Sequence, residues 1–149
     1  MKDISKIIVP IDFLQHTDQL AEFAVYIAGK FNANLLFIYV IELPHYFEAY
    51  EYPSLGVFTI EATEHAEEMM DQFIKKYREV CSNCEGKVLQ GNIVDSIIKY
   101  TNDEKAELII IGTHGRKGLE KMWLGSIAER VIKNAPCPTL TCNPNNETL

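Results

Sequence analysis

Two stretches, Lys6 to Ile11 and Leu35 to Ile41, are nearly continuously apolar and rich in β-branched residues. That pattern belongs to strands covered on both faces. Leu108-Ile109-Ile110-Ile111 reads the same way, and Lys87 to Gln90 and Thr139 to Cys142 are weaker strand candidates bounded by Gly, Pro or Asn. Between them the period changes. From Thr17 to Phe31, the residues Leu20, Phe23, Ala24, Ile27, Ala28 and Phe31 recur at helical spacing, and Thr17 and Asp18 suit a helix start. A longer pattern from about Thr59 to Val80 sets Ala62, Ala66, Met69, Phe73, Tyr77 and Val80 on one face. A third helix is expected over Ile93 to Asn102, carrying Val94, Ile97 and Ile98. A fourth is expected over Ser126 to Ala135, with Ser126 and Glu129 at capping-box spacing and Pro136 ending it. Strict alternation of strand and helix predicts an α/β fold: an open five-stranded parallel sheet with helices on both faces, joined by right-handed crossovers.

Composition narrows the function classes. A chain of 149 residues is expected to form one domain over 1–149, with Asn143 to Leu149 as a tail. With 14 Lys plus Arg against 21 Asp plus Glu, the net charge of −7 argues against a nucleic-acid partner. A small basic cluster at Arg116, Lys117 and Lys121 could still neutralise one phosphate chain. The first residues lack the apolar core of a signal peptide, and no apolar run approaches a membrane span, so a cytoplasmic protein without membrane contact is expected. Cys81, Cys84, Cys137 and Cys142 are then expected to be free thiols.

In an open α/β sheet, ligands bind beyond the carboxyl ends of the strands, where the winding direction reverses. Two ends carry suitable chemistry. The first strand runs into Pro10-Ile11-Asp12, which sets a carboxylate at the edge of an apolar element. The fourth runs into Gly112-Thr113-His114-Gly115-Arg116-Lys117-Gly118, and nine residues separate Gly115 from Gly125-Ser126 at a helix start. Glycines let backbone N–H groups approach an anion, and a helix N-terminus adds further donors and a favourable dipole. Arg116 can add charge-assisted hydrogen bonds. The spacing is neither GxxxxGK[ST] nor GxGxxG.

Gly112-x-x-Gly115, nine residues, then Gly125-Ser126 resembles the ATP-binding signature of the universal stress protein family. Lys6-Ile7-Ile8-Val9-Pro10-Ile11-Asp12 is similar to the family's first strand, Leu36-Phe37-Ile38-Tyr39-Val40-Ile41 to its second, and Ala135-Pro136-Cys137-Pro138-Thr139-Leu140 to its approach to the last. The resemblance implies a Rossmann-like sheet in the order 3-2-1-4-5. It implies that Pro10, Ile11, Asp12 and Val40 bound an adenine and ribose, with Asp12 accepting a hydrogen bond. Gly112, Thr113, Gly115 and Arg116 would hold ribose and phosphates, joined by Gly125, Ser126 and Ile127. It further implies ATP, ADP or AMP as ligand, with Mg2+ or Mn2+ held through the phosphates, and a homodimer through the last strand.

Plainer roles stand beside these. Asp12 could cap the turn after the first strand. A Ser126 hydroxyl that caps its own helix could not also be committed to phosphate. Cys81-Ser82-Asn83-Cys84 has redox spacing but follows a helix instead of opening one, and Cys137 and Cys142 lack the spacing of a zinc pair. The histidines are scattered without metal spacing. The aromatic run from Pro44 to Pro53 and Trp123 can be packing or ligand contact. No nucleophile and base are placed to drive water onto a phosphate. The expectation is therefore a nucleotide-binding stress sensor or regulator with no catalytic residue, with a dimerising assembly module or a slow ATP hydrolase as alternatives.

Overall fold

The computed structural model describes residues 3–43, 53–113 and 125–143, and of 53–58 the backbone only. The chain alternates as expected: β1 Lys6–Pro10, α1 Thr17–Phe31, β2 Asn34–Glu42, α2 Pro53–Tyr77, β3 Cys84–Gly91, α3 Ile93–Asp103, β4 Leu108–Gly112, α4 Ser126–Asn134 and β5 Thr139–Cys142. All pairings are parallel, and the five strands lie in the order β3-β2-β1-β4-β5. Among the described residues no helix is long and apolar enough to cross a membrane.

Side-chain alternation explains why the strands read as continuous apolar runs. Ile7, Val9, Leu35, Phe37, Leu108 and Ile110 point to one face, where Leu20, Ala21, Ala24 and Ala28 of α1 and Met70, Phe73, Ile74 and Tyr77 of α2 cover them. Ile8, Leu36, Ile38, Ile109 and Ile111 point to the other, under Val94 and Ile97 of α3 and Ala128 and Val131 of α4. Each strand must be apolar on both sides because each side has its own layer of helices. Ile7, Ile8 and Val9 are wholly inaccessible to solvent. Asp18 links the two helices of the first face: its Oδ1 accepts from the Tyr77 hydroxyl at 2.8 Å and pairs with Lys76 Nζ at 2.8 Å. Lys76 first, and Tyr77 second, hold its carboxyl below the usual range.

Three boundaries depart from the sequence pattern. β3 starts at Cys84, not Lys87, so the second cysteine of the CxxC pair lies in the sheet, paired with Leu35. At Gly86 an added Cβ would lie 2.4 Å from Met70 Cγ and 2.8 Å from Ile74 Cγ1, so the missing side chain lets α2 settle on the edge strand. α2 begins at Pro53 and ends at Tyr77, which removes Val80 from its apolar face: Val80 donates its N–H to the Tyr77 carbonyl in a turn and is exposed. Phe31, the last residue of α1, is likewise half exposed, while Ala21 takes a core place the pattern did not assign it.

Candidate functional site

The chain winds from β1 to β2 and β3 on one side, then crosses to β4 and β5 on the other, so the winding reverses between β1 and β4. β1 pairs with β2 up to Pro10↔Ile38 and with β4 through Ile8↔Ile109. The contact with β2 continues past the strand, since the Ile11 N–H donates to the Ile38 carbonyl at 2.9 Å. Carrying both registers forward sets Asp12 with Val40 on one side and Thr113 on the other. On β4, the Thr113 N–H donates to the Cys142 carbonyl at 2.9 Å, and the Thr113 carbonyl accepts from the Gly125 N–H at 2.8 Å. That last bond brings the start of α4 to the end of β4. Pro10, Ile11, Asp12, Val40, Gly112, Thr113, Gly125, Ser126 and Ile127 thus lie at one end of the sheet, on neighbouring strand ends and the start of α4. Gly115 and Arg116 lie outside the described residues, as do His114, Met122, Trp123, residues 44–52 of the aromatic run and residues 144–149 of the expected tail.

These residues differ in exposure. Ile11, Val40 and Thr113 are buried and Pro10 and Gly112 half-buried, whereas Ser126 and Ile127 are exposed. At α4 the capping-box expectation is corrected. The N-cap is Gly125, with φ −65° and ψ 148°, and no side chain caps it. Glu129 donates its N–H to the Gly125 carbonyl, while its carboxylate turns to Lys133 at 2.6 Å. The helix begins at Ser126 as expected, but the cap is the residue before it, Gly125, whose carbonyl serves as first acceptor. The N–H groups of Ser126, Ile127 and Ala128 therefore precede the first intrahelical bond, and the Ser126 hydroxyl is not spent on the cap. This end of α4 is an electropositive rim suited to an anion.

Asp12 does cap its turn, with one oxygen. Its Oδ1 accepts from the Leu14 N–H at 2.9 Å and from the Thr17 hydroxyl at 3.2 Å. No bond is made to Oδ2 among the described residues. Phe13, between them, has φ 57°, the left-handed region that disfavours a bulky side chain. Its ring lies 4.9 Å from that of Tyr39 and 5.9 Å from that of Phe73. Thr17 opens α1 as the sequence suggested, and its hydroxyl also reaches back to the carboxylate. The only sequence signal for this is a hydroxyl residue shortly after an aspartate at a strand end. His16 occupies the N-cap of α1 without a side-chain cap bond, and its Nε2 lies 2.8 Å from Gln15 Nε2.

Cys84 and Cys137 lie toward the amino ends of the strands, away from this end of the sheet, whereas Cys142 pairs with Gly112 beside it. All four cysteines are free. Burial first, and the Cys81 thiol next, push the Cys84 thiol up to about 11, the opposite of an activated nucleophile. Burial also raises Cys137 and Cys142. Among the described residues no group of three or more His, Cys, Asp or Glu is placed to hold a metal ion.

A parallel sheet in the order β3-β2-β1-β4-β5, with helices on both faces and a winding that reverses between β1 and β4, defines the Rossmann-like class of α/β proteins. Within that class, the sequence model of the universal stress protein family matches residues 3–143, and the chain belongs to that family. A universal stress protein of Methanocaldococcus jannaschii is 33% identical over 135 residues, covering 91% of this chain and 79% of the relative. The structure of the universal stress protein UspA from Lactobacillus plantarum superposes with a TM-score of 0.79 at 24% identity, covering 96% of this chain and 100% of the other. Two more distant members of the family share the fold. One, in complex with cAMP, has a TM-score of 0.68 at 17% identity and covers 96% of this chain and 99% of its own. The other, from Archaeoglobus fulgidus in complex with dAMP, has a TM-score of 0.67 at 17% identity, covering 94% and 98%.

Proposed function

We propose that this member of the family binds ATP or a related adenine nucleotide, ADP or AMP, and acts as a sensor or regulator in the stress response, by binding and not by turnover. The observation that carries the reading is the junction at the switch point: the Gly125 to Thr113 hydrogen bond sets an uncapped helix start beside the strand end that faces Asp12. Such a crevice offers donors for phosphate at one end and an acceptor for the nucleoside at the other. The cAMP and dAMP bound by two relatives of the same fold support an adenine nucleotide as the ligand class. Pro10, Ile11, Asp12 and Val40 then serve the adenine and ribose. Gly112, Thr113, Gly115, Arg116, Gly125, Ser126 and Ile127 serve the ribose and phosphates. Mg2+ or Mn2+ would be held by the phosphates and water more than by protein carboxylates. Denaturing the purified protein and analysing the supernatant by mass spectrometry tests the reading. Released ATP, ADP or AMP is expected; an empty site that also ignores added adenine nucleotides in calorimetry overturns it.

The free side of β5 favours a second property, self-association. The carbonyls of Pro138 and Cys142 accept from Ile109 and Thr113 of β4. Parallel pairing alternates direction residue by residue, so the N–H and C=O groups of Thr139 and Thr141 point away from β4. An edge of that kind accepts a strand from another chain, here a second copy of this one.

A further inference from the structure

The turn that carries Asp12 is held from two sides. Toward β2 and α2, the Phe13 ring packs on Tyr39 and Phe73 and keeps the backbone in its left-handed conformation. A non-glycine residue persists there only where the surroundings over-determine it, and such strain concentrates at functional sites. On the other side, the Asp12 carboxylate is fixed through Oδ1 by the Leu14 N–H and by the hydroxyl of Thr17, a residue only 6% exposed. A helix start needs no such bond. Thr17 donates to a side chain of the preceding turn, while α1 itself begins without any side-chain cap.

We propose that Thr17 is a positioning residue for nucleoside recognition, an inference that rests on the adenine-nucleotide reading above. By occupying Oδ1 it presents Oδ2 as a fixed acceptor in the crevice. The surrounding groups give that acceptor a purpose. Pro10, Ile11 and Val40 are apolar, and the start of α4 offers donors. A lone carboxylate oxygen among them repels phosphate and accepts from a group that carries hydrogen, either a sugar hydroxyl or the amino group of adenine. It therefore sets the direction in which the ligand lies, nucleoside toward Asp12 and phosphate toward α4. Freezing the carboxylate during folding spares that ordering cost at binding.

Calorimetry of the full chain with AMP, 2′-deoxy-AMP, 3′-deoxy-AMP and purine riboside monophosphate, which lacks the amino group, tests the proposal. Thr17→Val is expected to weaken AMP binding about tenfold, the loss of one charge-assisted hydrogen bond that orders the acceptor. Thr17→Ser should bind like the wild type. The loss caused by Thr17→Val should vanish with the one analogue that lacks the donor met by Asp12, and that analogue should already bind the wild type more weakly. An equal loss with all four ligands, or no loss with any, overturns the role of Thr17 while leaving nucleotide binding intact. A wild type that binds none of the four overturns the nucleotide reading, and this proposal with it. If thermal melting shows that Thr17→Val does not fold, Thr17→Ala removes the same hydroxyl and carries the same comparison.

Discussion

Glu107 illustrates how much one side chain can organise at the end of the sheet opposite the crevice. Its Oε2 accepts from the N–H of Lys6 at 2.9 Å and from the N–H and hydroxyl of Ser5, each at 3.1 Å. Its own N–H donates to the Lys6 carbonyl at 3.1 Å, so one residue clasps the amino ends of β1 and β4. Burial alone raises the carboxyl, but the donors of Ser5 and Lys6 together outweigh it and hold it below its ordinary value of 4.5. A carboxyl depressed by folding adds stability that is complete above its unfolded value and disappears as the pH falls through its folded one. Glu107→Gln is therefore expected to cost about 1 kcal/mol near neutral pH, since these bonds are partly open to solvent. Denaturant titrations should show the gap between wild type and variant narrowing as the pH falls below the ordinary carboxylate value of 4.5. A gap independent of pH would mean that the ionised carboxylate is not what joins the strands.

At the scale of the element, the start of α4 separates helix stability from ligand affinity. An acidic residue in the first turn of a helix stabilises it by roughly 0.3–1 kcal/mol, because the N-terminal end of the dipole is positive. Ser126→Glu should leave the melting temperature unchanged or slightly raised. The same charge set where phosphate is proposed to lie should weaken ATP binding by about tenfold or more at low salt. Undiminished affinity in calorimetry would place the phosphates elsewhere. The elements themselves were largely legible in the sequence, for a physical reason: β1, β2 and β4 are buried on both faces, so burial and apolar pattern coincide. β3 was half hidden because its first residues at the sheet edge include the exposed Glu85 and Gly86. The early start of α2 was masked by Gly56, a poor helix former, just inside the turn that opens with Pro53. Of the candidate site, the meeting of the ends of β1 and β4 at the switch point could be read from a strand-end aspartate and the glycines after β4. The Thr17 bond could not, because it depends on a left-handed Phe13 that no hydrophobic period signals. The helix start at Ser126 was legible, but its cap lies at Gly125 and not at Ser126, because two adjacent residues both suit an N-cap.

For the whole molecule, the two edges of the sheet decide how copies meet. β3 turns Glu85 and Lys87 to solvent at one edge, and charge of that kind discourages strand pairing. β5 is short, running only from Thr139 to Cys142, and its Thr141 is exposed with an N–H that points away from β4. Thr141→Pro removes that outward donor while sparing the bonds to β4, and proline is tolerated on an edge strand. Light scattering after size exclusion is expected to find a dimer in the wild type and a monomer in the variant, with the fold retained by circular dichroism. A wild type that remains monomeric at high concentration would exclude pairing through β5. Between those edges, β1 is the innermost strand, its central residues sealed from solvent, and the crevice opens at its end. The most deeply buried strand of the sheet thus ends at the place where a guest is proposed to sit. A ligand that holds this strand end cannot stay bound while the fold opens, so occupancy and persistence become one quantity. The abundance of the small molecule would then be written directly into the lifetime of the protein that detects it.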